Sequence, residues 1–166
     1  MKISRRHSVA AGAACVALSL GAVGVAHAAP AAAPAPCHST QLTAGHTLTE
    51  GAAGSVIVHI RLTDVGTTSC SLSGYVGAEL FDDAGTPLPT TVTREGGERS
   101  TVVLAPGASA TALLRYRDPG LVPGCHAVRS HSLLVTPPGR RLPLLVHSTA
   151  GLSPCGGALF TVPVRP

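Results

Sequence analysis

The clearest signal in the chain is a strict alternation of apolar and polar positions. Over residues 55–64, Val56, Val58, Ile60 and Leu62 fall on one side, and Ser55, Ile57, His59, Arg61 and Thr63 on the other. That period of two predicts a half-buried antiparallel strand. Ala110, Ala112, Leu114 and Tyr116 alternate with Thr111, Leu113, Arg115 and Arg117 in the same way, and Phe160, Val162 and Val164 with Leu159, Thr161 and Pro163. Shorter runs over 41–48, 75–81, 88–93, 101–104, 133–136 and 142–147 predict further strands.

Turn chemistry separates these runs. Asp82-Asp83-Ala84-Gly85, Ala105-Pro106-Gly107, Asp118-Pro119-Gly120 and Pro137-Pro138-Gly139 all carry residues that preset φ or tolerate positive φ. Pro143 and Pro163 lie inside strand candidates and assign them to an edge or a bulge. Arg94-Glu95-Gly96-Gly97-Glu98-Arg99 is ambiguous. A tight Gly-Gly hairpin would set Glu95 against Glu98 and Arg94 against Arg99, and like charges directly opposite destabilise a strand pair. A longer, looser loop is the better expectation. No amphipathic helix is evident beyond the N-terminal segment. Seven to nine short strands at this spacing predict an all-β, immunoglobulin-like antiparallel sandwich.

The first residues follow a different logic. Lys2, Arg5 and Arg6 form a basic head, an apolar run from Ser8 to Val25 follows, and Ala26-His27-Ala28 is a small-x-small cleavage pattern. Together they describe a secretory signal peptide over 1–28, cut after Ala28. Cys15 follows Ala13-Ala14, but Gly12 stands where a lipobox carries Leu, so lipid attachment there fits poorly. Ser4-Arg5-Arg6 hints at twin-arginine export, yet Ser8 stands where that signal needs an apolar residue, and Sec export fits better. Residues 29–36 alternate Ala and Pro and read as an extended linker, with the folded domain spanning 37–166.

Cleavage changes the charge. Three of the twelve basic residues leave with the signal, so nine basic side chains then face eight acidic ones. No basic excess remains to recommend nucleic acid or an anionic membrane surface. Aromatic residues are just Tyr75, Phe81, Tyr116 and Phe160, which counts against a sugar cleft or a base-stacking platform. Eleven Arg against one Lys, with no Asn, follows the preference of GC-rich codons.

Four cysteines remain after cleavage: Cys37, Cys70, Cys125 and Cys155. An even number in an exported chain reads as two disulfides. Three pairings are open. Cys37 with Cys70 and Cys125 with Cys155 is the favoured one, because each pair flanks a plausible run of strands.

Candidate chemistry is sparse. Of the six histidines beyond the signal, none forms a close metal-ligand pair such as H-x-H or H-E-x-x-H. His126, His131 and His147 are the metal candidates, since a hairpin could bring His147 to the other two. The plainer reading is scattered surface histidine. No G-x-S-x-G elbow, hydrolase-type carboxylate pair or phosphate-cradling glycine loop occurs, so no catalytic residue and no cofactor is expected. Asp82 and Asp83 read as turn caps. Pro137-Pro138-Gly139-Arg140-Arg141-Leu142-Pro143, bracketed by Cys125 and Cys155, could present a rigid dibasic loop to a protease as an inhibitor does. The plainer reading is a hairpin tip whose arginines protect an edge strand.

Leu62-Thr63-Asp64 followed by Cys70-Ser71-Leu72-Ser73-Gly74-Tyr75 resembles the secreted actinobacterial family grouped as domain of unknown function 4232. Phe81-Asp82-Asp83-Ala84-Gly85, Leu104-Ala105-Pro106-Gly107, Cys125, Pro137-Pro138-Gly139, Cys155 and Val162-Pro163-Val164 follow in that family's order. Asp64 stands where the family usually has Asn, and Val76 where a Pro commonly follows the aromatic. The resemblance implies export, a β-sandwich and paired cysteines, and it brings no activity with it. The expectation is therefore a secreted, non-enzymatic binding or structural domain at or outside the cell envelope. Its partner would be a protein or an envelope ligand, not nucleic acid, and not the membrane once the signal is cut. A His-based metal-binding protein is the alternative, and a protease inhibitor is a more distant one.

Overall fold

A computed structural model describes residues 33–146 and 151–166. The strands are β1 (Leu42–Ala52), β2 (Ser55–Asp64), β3 (Cys70–Ser73), β4 (Gly77–Phe81), β5 (Thr91–Arg94), β6 (Thr101–Leu104), β7 (Ser109–Arg117), β8 (Ser132–Thr136), β9 (Leu144–Val146) and β10 (Ala158–Thr161). The described residues hold no α-helix, only two 3₁₀ turns. None of their helices is long and apolar enough to cross a membrane.

The strands form a five-stranded sheet in the order β1-β2-β7-β10-β5, a pair β3-β6, and a three-stranded sheet β4-β8-β9. The alternation at 55–64 becomes β2 without a residue's change of boundary. Its inward residues meet the inward residues of β7 directly: Val58 opposite Leu114, Ile60 opposite Ala112 and Leu62 opposite Ala110. In the last two pairs a large side chain stands beside an alanine, which leaves room for side chains from the facing layer. Leu72, Leu80, Leu104, Leu133 and Val135 from the other strands join the same buried cluster. One continuous core between sheets is the mark of a sandwich.

Three features differ from the expected pattern. Strand β3 adds a tenth strand, because Ser71 is buried despite its hydroxyl, which donates to the carbonyl of Pro34 at 2.9 Å. β10 runs parallel to β5, from Ala158 beside Thr91 to Thr161 beside Arg94, so the sandwich is not wholly antiparallel. The strand predicted to reach Val164 ends at Thr161. Pro163 has no N–H to continue the ladder, and Val164 instead donates to the carbonyl of Gly74 at 2.8 Å.

All four predicted turns form. Asp82 Oδ1 accepts from Thr86 N at 2.6 Å, and Asp118 Oδ1 accepts from Gly120 N at 2.9 Å. Residues 95–100 make no hairpin: β5 and β6 belong to different sheets, and the Gly-Gly segment crosses between them. A crossover keeps the like charges from being strand partners, which removes the electrostatic conflict.

Candidate functional site

Cys37 is bonded to Cys70 and Cys125 to Cys155. The first pair is buried in the core, whereas Cys125 and Cys155 are partly exposed. Beside the first pair Asp64 is fully buried, its Oδ1 accepting from Gly66 N at 2.8 Å. Its Oδ2 lies 3.5 Å from Cys70 Sγ; a disulfide sulfur carries no hydrogen, so this is a contact. The Oδ1 role is one that an Asn side chain at this position would also fill.

Cys125–Cys155 staples an irregular ribbon. Val128 N donates to Pro154 O and Ser130 N to Leu152 O, both at 2.9 Å, and Gly156 N donates to His126 O at 2.8 Å. His126 and His131 sit at the two ends of this extended run. Five residues at about 3.3 Å each put their backbones about 16 Å apart, too far to share one ion. His147 lies outside the described residues. Among the described residues no group of three His, Cys, Asp or Glu side chains converges as metal ligands would. His131 instead lines an open polar cleft of about 410 Å³ with Asp82, Asp83, Arg129, Ser130 and Ser153. Acid, base and hydroxyl occur there together, but Ser130 Oγ is committed to the backbone of Leu152, at 3.2 Å from both its O and its N.

The dibasic loop does not stand out as a tip. Pro137 and Pro138 are buried, Arg140 is half-buried, and only Gly139 and the following Arg141, Leu142 and Pro143 are exposed. Arg140 N donates to Pro137 O at 3.1 Å, closing a turn in which Gly139 has φ +67°. The Ser39 hydroxyl holds the far side of the loop by donating to Leu142 O at 2.8 Å. Arg140 is thereby folded back onto the domain.

What Arg140 folds onto is a groove of about 410 Å³. One wall is Ala33, Pro34 and Pro36; the floor is Ser71 and Ser73 of β3 with Thr101 of β6; the other wall is Pro138, Gly139 and Arg140. The first wall is the tail of the segment read as a linker. It is fixed because Ser71 N donates to Ala35 O and Cys37 N to Ser71 O, both at 2.9 Å, in a parallel bridge beside β3. Arg140 is the groove's one ionisable lining residue. Its Nε is sealed from solvent with no acceptor, and among the described residues its guanidinium has no carboxylate partner. The groove is assembled from four distant stretches of chain, which is why no local pattern announced it.

Other arginines are spent on structure. Arg94 and Arg99 lie 5.6 and 5.4 Å from the ring centre of Tyr75, whose hydroxyl donates to Gly96 O at 2.6 Å. Arg115 lies 4.8 Å from the ring centre of Phe160 and pairs with Glu95. The first cluster pins the crossover 95–100 by the Arg99–Tyr75 cation–π contact and the Tyr75 hydroxyl, and the second by the Arg115–Glu95 ion pair.

These features define a small all-β sandwich domain with two internal disulfides and no assembled catalytic constellation among the described residues. The chain belongs to the family described as Domain of unknown function (DUF4232), whose model matches residues 37–165. No curated protein and no solved structure matches it. The wall formed by Ala33, Pro34 and Pro36 lies just before the matched span.

Proposed function

We propose that this chain is an exported, non-enzymatic binding domain that works at or outside the cell envelope. The groove between residues 33–36 and the loop carrying Arg140 is the observation that carries the reading. It has the size of small-ligand sites, is concave, and is lined mainly by small apolar groups with a few polar ones. Its walls are held by backbone hydrogen bonds and by the adjacent Cys37–Cys70 bond. A site held in shape before binding loses little conformational freedom on binding. Export is supported by the basic head, apolar run and Ala26-His27-Ala28 pattern, and by two disulfides, which persist in oxidising compartments.

The test of export is the intact mass of the protein recovered from culture medium, with and without reduction. The expected species begins at Ala29 and gains the mass of four hydrogens on reduction of its two disulfides. A species retained in the cell with its first residues intact, or one with free thiols, would sink the exported-domain reading.

A further inference from the structure

We infer that the groove takes the carboxylate end of a short, extended, small-side-chain peptide, with Arg140 as the residue that recognises the carboxylate. This rests on the proposed reading of the chain as a binding domain and names the ligand class of its site.

Charge comes first. Arg140 is the one ionisable side chain lining the groove, and neither ion pair of the described residues involves it. A half-buried guanidinium without a counter-charge is an unmet demand for an acceptor. Its Nε is sealed from solvent and finds no acceptor among the described residues either. With Nε out of a ligand's reach, the terminal nitrogens are the donors left to act as the fork that suits a carboxylate.

The number of charges selects the anion. One guanidinium balances a single negative charge, and the further donors available are the neutral hydroxyls of Ser73 and Thr101, both exposed. The Ser71 hydroxyl is already committed to Pro34 O. Phosphate sites characteristically add a second cation or a cradle of backbone N–H groups, and the lining here holds no second cationic side chain. A carboxylate matches one fork and two hydroxyls.

Shape selects the body behind it. The groove runs beside an extended wall, Pro34 to Pro36, that already lies parallel to β3. Its other lining groups are Ala, Pro, Gly, Ser and Thr, with no aromatic platform and no large aliphatic pocket. Such walls admit a narrow, extended chain with small side chains and exclude bulky ones.

The probes are N-acetyl-Ala-Ala-Ala with a free carboxylate and the same peptide as its C-terminal amide, titrated into the ¹⁵N-labelled, disulfide-intact exported protein. The amide signals of Ser73, Thr101, Gly139 and Arg140 report on the groove. The acid is expected to shift these signals and to bind at least about tenfold more tightly than the amide, roughly 1.4 kcal/mol. Arg140→Gln is expected to abolish that difference, while Arg141→Gln, at an exposed neighbour, leaves it intact. Thr101→Val preserves a strand-compatible shape and is expected to weaken the acid several-fold; it serves as the second variant should Arg140→Gln fail to fold. If acid and amide shift the groove signals equally, carboxylate recognition falls and the binding site stands. If neither shifts them up to about 10 mM, a regime weaker than ordinary ligand recognition, the groove is not the binding site and both readings fall. Displacement of the acid by equimolar inorganic phosphate would reduce Arg140 to a general anion contact and overturn the peptide assignment.

Discussion

Gly157 faces the carbonyl of Pro89 so closely that a β-carbon on residue 157 would overlap that oxygen. The contact is made where β10 starts alongside β5, with Thr91 N donating to Gly157 O at 3.0 Å. Gly157 also has φ +75°, so both space and backbone exclude a side chain. Gly157→Ala is expected to lose about 3 kcal/mol or more, combining overpacking with left-handed strain. Gly107→Ala, at φ +82° but with open space around it, should lose only about 1–2 kcal/mol. Denaturant unfolding of both variants checks the ranking; equal losses would contradict the close approach.

The β1–β2 hairpin contains an avoidable strain. Ala53 and Gly54 form its two-residue turn with φ values of +42° and +80°. Both central positions require positive φ, and Asn-Gly is the sequence that suits them. Ala53→Asn is expected to raise stability by about 0.5–1 kcal/mol, seen as a higher denaturant midpoint with an unchanged slope.

The two disulfides differ in access. Cys37 and Cys70 are buried in the core, while Cys125 and Cys155 lie on a partly exposed ribbon. Limited reduction followed by alkylation and peptide mapping is expected to label Cys125 and Cys155 first. Their sequence separations, 33 and 30, are alike. Loops of that length predict comparable losses of about 3–4 kcal/mol when either bond is removed by paired Cys→Ala substitution. Simultaneous labelling of all four sulfurs would mean that the core opens as readily as the ribbon.

Burial pushes the Tyr116 phenol above its ordinary value of 10.0; a hydrogen bond with the Ser153 backbone works the other way, and the Asp118 carboxylate adds a smaller push upward. The fold therefore holds the neutral phenol. Its contribution is complete below about pH 10 and is lost as pH rises through the folded-state value. Wild type is expected to lose more stability than Tyr116→Phe between pH 9 and pH 11, measured by thermal unfolding at matched ionic strength. Parallel losses in the two proteins would contradict the assignment.

Legibility in the sequence followed physical locality. Val56 to Leu62 could be placed because each inward residue repeats the same two-residue rule, and the turns because Pro, Gly and Asp act on their own backbone. Strand β3 escaped because Cys70-Ser71-Leu72-Ser73 holds a polar residue, Ser71, whose burial depends on Pro34, a residue far away in the chain. The parallel pairing of β5 with β10 escaped because strand direction leaves no trace in alternation. The groove escaped for a related reason: Ala33, Pro34 and Pro36 acquire a role only when β3 lies beside them. Arg140 was legible as part of a dibasic loop, but the burial of Pro137 and Pro138 decides which way it turns.

The bond between Cys37 and Cys70 also sets how the domain would carry load. A pull applied through residues 33–36 reaches Cys37 and passes across the sulfurs directly to β3. The chain between the two cysteines holds both β1 and β2, and the bond bypasses it. The longest hairpin of the sandwich is therefore slack under tension from that side. A tether attached there would tug on β3 and leave the β1–β2 pair mechanically silent until the bond is cut.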